Sequence, residues 1–383
     1  MGSSENWAST ESSSSRGLYG RVSAAELEGI IVRVGSGEEE QKVQAAMEIR
    51  RLTKTSSRNR RHLSLAVDPL VAMLRSPSYE SCEAAILALL NLAVKDERNK
   101  ISVVDAGALE PLISFLDSTN LDLQGFATAA LFTLSASNVN KPRISASGAI
   151  PLLVKVVEEG SQQAKMDAIA ALQNLSTIQD NLRSILSLHP IPSLVSFLKS
   201  CDKSTKPAEK CCALLELLVN FDEGRTALTR EEGGVLSVVE VLEEGSPPSR
   251  EHAVGALLTM CESDRSRYRE VILREGAIPG LLELTVQGSV QCQAKARRLL
   301  ELLRESPYRR RQLEADTLEN IVSSIVSKVV DGDEQTEKAK KMLAEMVQIS
   351  MEQSLRHLQR RALVVCTPTE LPLANRPSQV PSK

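Results

Sequence analysis

Small and apolar residues recur along this chain on two periods at once, that of a helix and a longer one of roughly 40 to 43 residues. The clearest copies are AAILALLNL (84–92), FATAALFTL (126–134), DAIAALQNL (167–175) and HAVGALLTM (252–260). In each, a small residue is followed four places on by Leu and seven places on by Leu or Met. The small residue falls at Ala45, Ala85, Ala127, Ala168, Cys211, Ala253, Ala296 and Ala339. The +4 position reads Ile49, Leu89, Leu131, Leu172, Leu215, Leu257, Leu300 and Leu343, and the +7 position Leu52, Leu92, Leu134, Leu175, Leu218, Met260, Leu303 and Met346. Offsets of 0, 4 and 7 share one helical face. One such face cannot bury itself, but stacked copies can, so the pattern predicts an elongated all-α solenoid with Ala85, Leu89, Leu92, Ala168, Leu172 and Leu175 in its core.

Turn residues divide each copy. In the unit that follows Asn91, a short helix (99–106) is followed by a Gly turn, a second helix (107–116), and then the long third helix that carries the small–Leu–Leu face. The Gly recurs at Gly107, Gly148, Gly233 and Gly276, in the words GALEPL, GAIPLL, GGVLSV and GAIPGL. Glycine suits a turn between helices, and Pro fits the first turn of the next, where its missing N–H costs nothing. One copy reads HPIPSL and uses Pro190 and Pro192 instead. The expected order is a disordered Ser-rich tail (1–21), a solenoid (22–361) and a disordered Pro-rich tail (362–383). The solenoid opens with helices over 23–34 and 38–54 and continues in units near 58–95, 97–137, 138–178, 179–221, 222–263, 264–305 and 306–361. The last unit is degenerate. Its apolar stripe Val347, Met351, Leu355, Leu358 and Ala362 is expected to cap the stack.

The period excludes the 33–34-residue ankyrin and tetratricopeptide units. The short first helix separates the pattern from two-helix HEAT units. GAIPLLV, GAIPGLL and the NLA and NLS words resemble the armadillo family. The linked run NLAVKDERNKISVVDAGALEPL (91–112) is similar, more narrowly, to the armadillo region of plant U-box proteins. This resemblance spans about 40–305, weakly to 361, and implies a right-handed superhelix. Proteins of that family carry a U-box, which recruits a ubiquitin-conjugating enzyme, ahead of the repeats. Here about forty residues precede the stack, without its Cys-Pro-Ile and Asp-Pro-Val words, so a repeat-only relative is expected and ligase activity is not carried over.

Composition narrows the function. The net charge is −3 and aromatics make up 3% of the chain. Neither favours nucleic acid, which rewards positive charge and stacking faces. No stretch is long and apolar enough to span a membrane. The N-terminus lacks a secretory apolar segment, and Gly2 lacks the Ser or Thr that a myristoylation word wants, since Asn6 stands there. The seven cysteines, Cys82, Cys201, Cys211, Cys212, Cys261, Cys292 and Cys366, form no C-x-x-C pair and read as free buried thiols of a reducing compartment, cytoplasm or nucleus. The four histidines, His62, His189, His252 and His357, show no zinc spacing. No phosphate loop or nucleophile elbow appears. The expectation is a non-catalytic chain without cofactor, metal or small-molecule substrate.

Function is therefore sought in the groove. Offsets +2 and +6 leave the core face. They read Met47/Arg51, Leu87/Asn91, Ala129/Thr133, Ala170/Asn174, Ala213/Leu217, Gly255/Thr259 and Arg298/Leu302. Resemblance to armadillo peptide binders implies that Leu87, Asn91, Ala129, Thr133, Ala170 and Asn174 meet a partner protein segment, with Asn91 and Asn174 bonding its backbone. The alternative is plain solvated helix residues. Nuclear import receptors of this fold carry Trp at +2, and the one Trp here is Trp7. A second candidate is the basic patch Lys295, Arg297, Arg298, Arg304, Arg309, Arg310 and Arg311, matched near the other end by Arg50, Arg51, Lys54, Arg58, Arg60 and Arg61. Such clusters are solvated charged faces by default, or sites for an acidic partner or nuclear targeting.

Overall fold

The computed structural model describes residues 23–304, and these residues are helices and short connections with no strand among them. The terminal segments, the unit at 306–361 and Arg309, Arg310 and Arg311 lie outside the described residues. Helices α1 (Ala24–Ser36) and α2 (Glu39–Thr53) open the stack. Six triads follow. They are α3 (Ser57–His62), α4 (Val67–Met73) and α5 (Tyr79–Ala93); α6 (Glu97–Asp105), α7 (Leu109–Leu116) and α8 (Leu121–Ser135); and α9 (Lys141–Ala146), α10 (Ala149–Glu159) and α11 (Gln162–Leu175). Then come α12 (Gln179–Ser187), α13 (Ile191–Ser200) and α14 (Lys206–Leu218); α15 (Asp222–Arg230), α16 (Gly234–Glu244) and α17 (Pro247–Ser263); and α18 (Arg265–Arg274), α19 (Ile278–Gln287) and α20 (Val290–Leu303). A single 3-10 turn, Leu63–Ala66, joins α3 to α4.

The third helices form the spine. Helix α2 packs on α5, and the series continues through α8, α11, α14, α17 and α20. All seven described small anchors, from Ala45 to Ala296, are fully buried, as are Leu131, Leu172, Leu215 and Leu257. Leu300 departs from the pattern and stays partly exposed on α20, the last described helix. Third helices start at a polar cap. The side chains of Ser78, Asn120, Ser161, Ser246 and Ser289 each accept a backbone N–H of the first turn. That satisfies a donor which the helix itself leaves unpaired.

The turns follow the glycine rule, with one substitution. Gly107, Gly148, Gly233 and Gly276 adopt φ of +84°, +82°, +66° and +82°. Where the chain reads HPIPSL, His189 takes this left-handed place with φ +54°. The prolines start α13, as N1 chemistry allows, but they do not replace the glycine.

A second ladder ties first helices to third helices. Asn59, Asn99, Asn140 and Asn181 each donate Nδ2 to the last carbonyls of the third helix before them, at Leu52, Leu92, Leu134 and Leu175. The last carbonyls of a helix have no partner within it, so each amide closes one end. Asn99 and Asn140 also reach carbonyls of the preceding first helix, at Arg60 and Lys100. Arg60 is not a solvated charge, as its cluster suggested. It is buried, with Nε on the Asn91 carbonyl and Nη2 on that of Lys54, a cation at helix C-termini where the dipole favours it.

Candidate functional site

The inner face of the stack is identified by one contact. Glu216 of α14 reaches Lys295 of α20, with Nζ 3.2 Å from Oε1, although α17 lies between their helices. Two helices separated by a third can touch only on the side toward which a stack curves. The contact passes over Gly255 of α17. A Cβ built there would stand 2.6 Å from Glu216 Cδ and 3.1 Å from Lys295 Nζ. Gly255 is the +2 residue of its helix, so the +2 row lies on the concave side.

The same geometry recurs along the spine. Glu216, at +5, also accepts from His252 Nδ1 at 2.7 Å, and His252 is at −1 of the next third helix. One helix earlier, Lys210 at −1 donates to Gln173 at +5 across α11 and α14, at 3.1 Å. Offsets −1, +2 and +5 differ by three residues and therefore share a stripe. The inner surface is thus built from −1, +2, +5 and +6. The −1 row reads Phe126, Asp167, Lys210, His252 and Lys295 from α8 to α20, and the +5 row Phe132, Gln173, Glu216, Leu258 and Glu301. The +2 and +6 rows alone miss these residues. The three-residue step was present in the sequence as their only signal.

The residues expected to meet a partner sit on this face. Leu87, Asn91, Ala129, Thr133 and Asn174 are half-buried, while Ala170, like Ala213 and Gly255, is buried. Over Gly255 the covering side chains belong to the neighbouring helices, so a small +2 residue is a floor and not an open notch. The two asparagines have already committed part of their amide. Asn91 Nδ2 donates to the Arg50 carbonyl at 2.8 Å, and Asn174 Nδ2 to the Ser135 hydroxyl at 3.1 Å and the Phe132 carbonyl at 3.4 Å. Arg50 and Phe132 are both +5 residues, so both amides tie +6 to the carbonyl of +5 one helix back. Each keeps its Oδ1 for another partner, and Asn91 also keeps a second N–H.

The basic patch is largely engaged among the described residues. Lys295 pairs with Glu216, Arg298 with Glu262 and Glu301, and Arg297 bonds Gln293. The structure therefore brings Lys295, at −1, and Arg298, at +2, onto the inner stripe and leaves Arg297 on exposed ground beside it.

Burial rules the titration of this region. Asp167 is half-buried beside Gln163, whose amide donates to it at 3.1 Å, and burial raises its carboxyl above the usual range. Burial also raises the thiols of Cys211 and Cys212, and that of Cys261 to about 11, which keeps them in the unreactive protonated form. The six described cysteines are free, and Cys201 is only half-buried, in contrast to the other five.

Comparison with known proteins agrees with this architecture. The family model described as the plant U-box protein ARM repeat region matches residues 26–304. U-box domain-containing protein 45 of Arabidopsis thaliana is 32% identical over 244 residues, which cover 62% of this chain and 31% of that protein. U-box domain-containing proteins 19 and 17 of the same plant are 31% and 33% identical, covering 76% and 70% of this chain. The chain spans 43% and 37% of their lengths, so it matches well under half of each of the three relatives. Among solved structures, an engineered protein superposes with a TM-score of 0.64 at 23% identity, over 73% of this chain and 68% of its own, a likeness of fold alone. With a repeat face buried from Ala45 to Leu303 and a family match that runs over the same helices, the chain belongs to the family of plant U-box protein armadillo-repeat regions.

Proposed function

We propose that the chain is a non-catalytic scaffold or adaptor that holds an extended segment of a partner protein along its third helices. The observation that carries this reading is the continuous inner stripe at −1, +2, +5 and +6, repeated on consecutive helices. Packed helices lie about 10 Å apart, and an extended chain rises about 3.3 Å per residue. Every third residue of a bound segment then meets a new rung. Leu87, Ala129 and Thr133 offer apolar contact, and Asn91 and Asn174 keep amide groups for the segment's backbone. Such a groove needs no cofactor and reads a peptide rather than a small molecule, nucleic acid or membrane. Free thiols suit the reducing cytoplasm or nucleus as its place of work.

The test has two arms. A partner is captured on the purified chain and identified, and its affinity is measured for Asn91→Ala/Asn174→Ala and for Arg297→Ala. Loss in the first variant, with an unchanged melting curve, supports the groove. Loss in the second alone places docking on the charged surface and ends the reading.

A second reading rests on the relatives themselves, which are named as U-box domain-containing proteins. In it, the chain serves a ubiquitin-ligase pathway as the part that selects the target. Ubiquitin transfer by the chain with purified activating and conjugating enzymes would make it a ligase and overturn the non-catalytic assignment. Transfer only when a U-box protein is added would favour the pathway role.

A further inference from the structure

The groove already holds a side chain where a partner would lie. Glu216 leaves α14, crosses above Gly255 and ends between His252 Nδ1, at 2.7 Å, and Lys295 Nζ, at 3.2 Å. Its exposure is 21%, so the carboxylate is largely withdrawn from water, and both of its partners stay about a third exposed to the groove. Beneath it Gly255 has no side chain, which leaves a flat bed for a planar carboxylate. The +5 residue of the next helix is Leu258 and supplies no charge.

Once Glu216 is set aside, two lysines and an imidazole line the seat. Lys210, His252 and Lys295 hold the same −1 register on three consecutive third helices. Lys210 is bonded to the neutral Gln173 and has no carboxylate within ion-pair distance among the described residues. Two acids share the inner rows: Asp167, one rung beyond Lys210, accepts from Gln163, and Glu301 pairs with Arg298. Glu209 pairs with Lys206, and Glu251 accepts from Ser289. Arg298 stands one turn along α20, held by Glu262 and Glu301.

We infer that His252 and Lys295 over Gly255 form a carboxylate seat for an acidic, extended segment of a partner protein, and that Glu216 occupies this seat in the free chain. The inference rests on the groove reading and adds the chemistry of its ligand. An incoming Glu or Asp displaces Glu216, makes the same two charge-assisted contacts, and places a second carboxylate three residues away beside Lys210. The protein's own glutamate then acts as a competitor. It lowers affinity for the acidic segments that must displace it and spares Lys295 from standing unpaired.

The probe is a ten-residue peptide, acetylated and amidated, with Glu at every third position, compared with the same peptide carrying Gln. Both are titrated against the full chain by fluorescence anisotropy. Glu216→Gln is expected to raise affinity for the Glu peptide about two- to fivefold, the worth of one partly exposed ion pair. Affinity for the Gln peptide should not change. Adding Lys295→Gln to Glu216→Gln should cancel the gain, and higher salt should weaken the Glu peptide selectively. Thermal melts confirm that each variant is folded. The seat is refuted if Glu216→Gln leaves the Glu peptide unchanged or weaker, if Lys295→Gln has no effect on it, or if neither peptide binds the Glu216→Gln variant. Equal binding of both peptides that is lost in Asn91→Ala/Asn174→Ala would leave the groove standing and remove the seat. Glu-selective binding indifferent to those asparagines would do the reverse for the asparagine rungs.

Discussion

Asn99 Nδ2 lies 3.0 Å from the carbonyl oxygen of Leu92, and so a side chain of one helix closes the end of another. The asparagine is 2% exposed and also bonds the carbonyl of Arg60 at 3.3 Å, on the first helix of the unit before. Replacing it with Ala leaves two carbonyls without their donor in a dry place. The expected cost is about 1–3 kcal/mol, read as a lower urea midpoint with an unchanged slope. A loss within experimental error would show that water takes over the amide's role.

Leu172 tests the repeat register. It is fully buried on α11, between α8 and α14. Leu172→Ala is expected to cost about 2–5 kcal/mol, and Leu172→Asp more, because it adds an unpaired buried charge. Thermal melts of both variants give the order wild type, Ala, Asp. A wild-type melt for the Asp variant would move Leu172 out of the core.

His189 occupies a left-handed place that four repeats give to Gly. An L-residue with a Cβ pays about 1–2 kcal/mol there, and Gly removes that cost while loosening the unfolded chain. His189→Gly should therefore raise stability slightly, by up to about 1 kcal/mol, detectable as a rise in melting temperature. A clear fall would mean that the exposed imidazole makes a contact worth more than the strain.

Gly255 is expected to show a context-dependent sign. In a helix interior, Ala is about 1 kcal/mol better than Gly. Here the methyl would displace Glu216 from His252 and Lys295, a loss of similar size. Gly255→Ala should thus change stability little in the wild type but stabilise the Glu216→Ala background by about 1 kcal/mol. A double-mutant cycle by urea denaturation measures the difference. Equal effects in both backgrounds would show that Glu216 gives way freely.

Asp167 links the fold to pH. Its folded carboxyl titrates above the unfolded value, because burial disfavours the charge. The folded state therefore binds this proton more tightly than the unfolded chain does. The penalty is absent below the unfolded value, near 4, grows as pH rises toward the folded value, and is complete above it. Asp167→Asn should stabilise the protein at pH 7, and the gain should shrink as the pH falls toward 3–4. Paired urea titrations at the two pH values check it, and a gain independent of pH would assign the effect to packing.

Much of this protein was legible in its sequence because the repeat averages local noise. The 0, +4, +7 face is a one-dimensional property of each helix, and its copies agree from Ala45 to Leu303, so the buried spine and the three-helix unit follow from periodicity and turn residues. Asn99 and Asn140 were visible too, but not their task, because their acceptors lie on other helices and emerge only when the stack forms. The groove was half legible. Offsets +2 and +6 had to leave the core, yet nothing along the chain says which neighbouring helices' side chains cover them. Curvature decides that. It brings Glu216 and Lys295, 79 positions apart, together over Gly255 and turns the −1 row into part of the site. It also takes Arg60 out of a surface cluster and buries it against helix ends. Helical periodicity is set by each segment's own backbone and could be read locally. Which charges are paired, and which side chains share a face, depends on distances between segments, and those exist only in the folded stack.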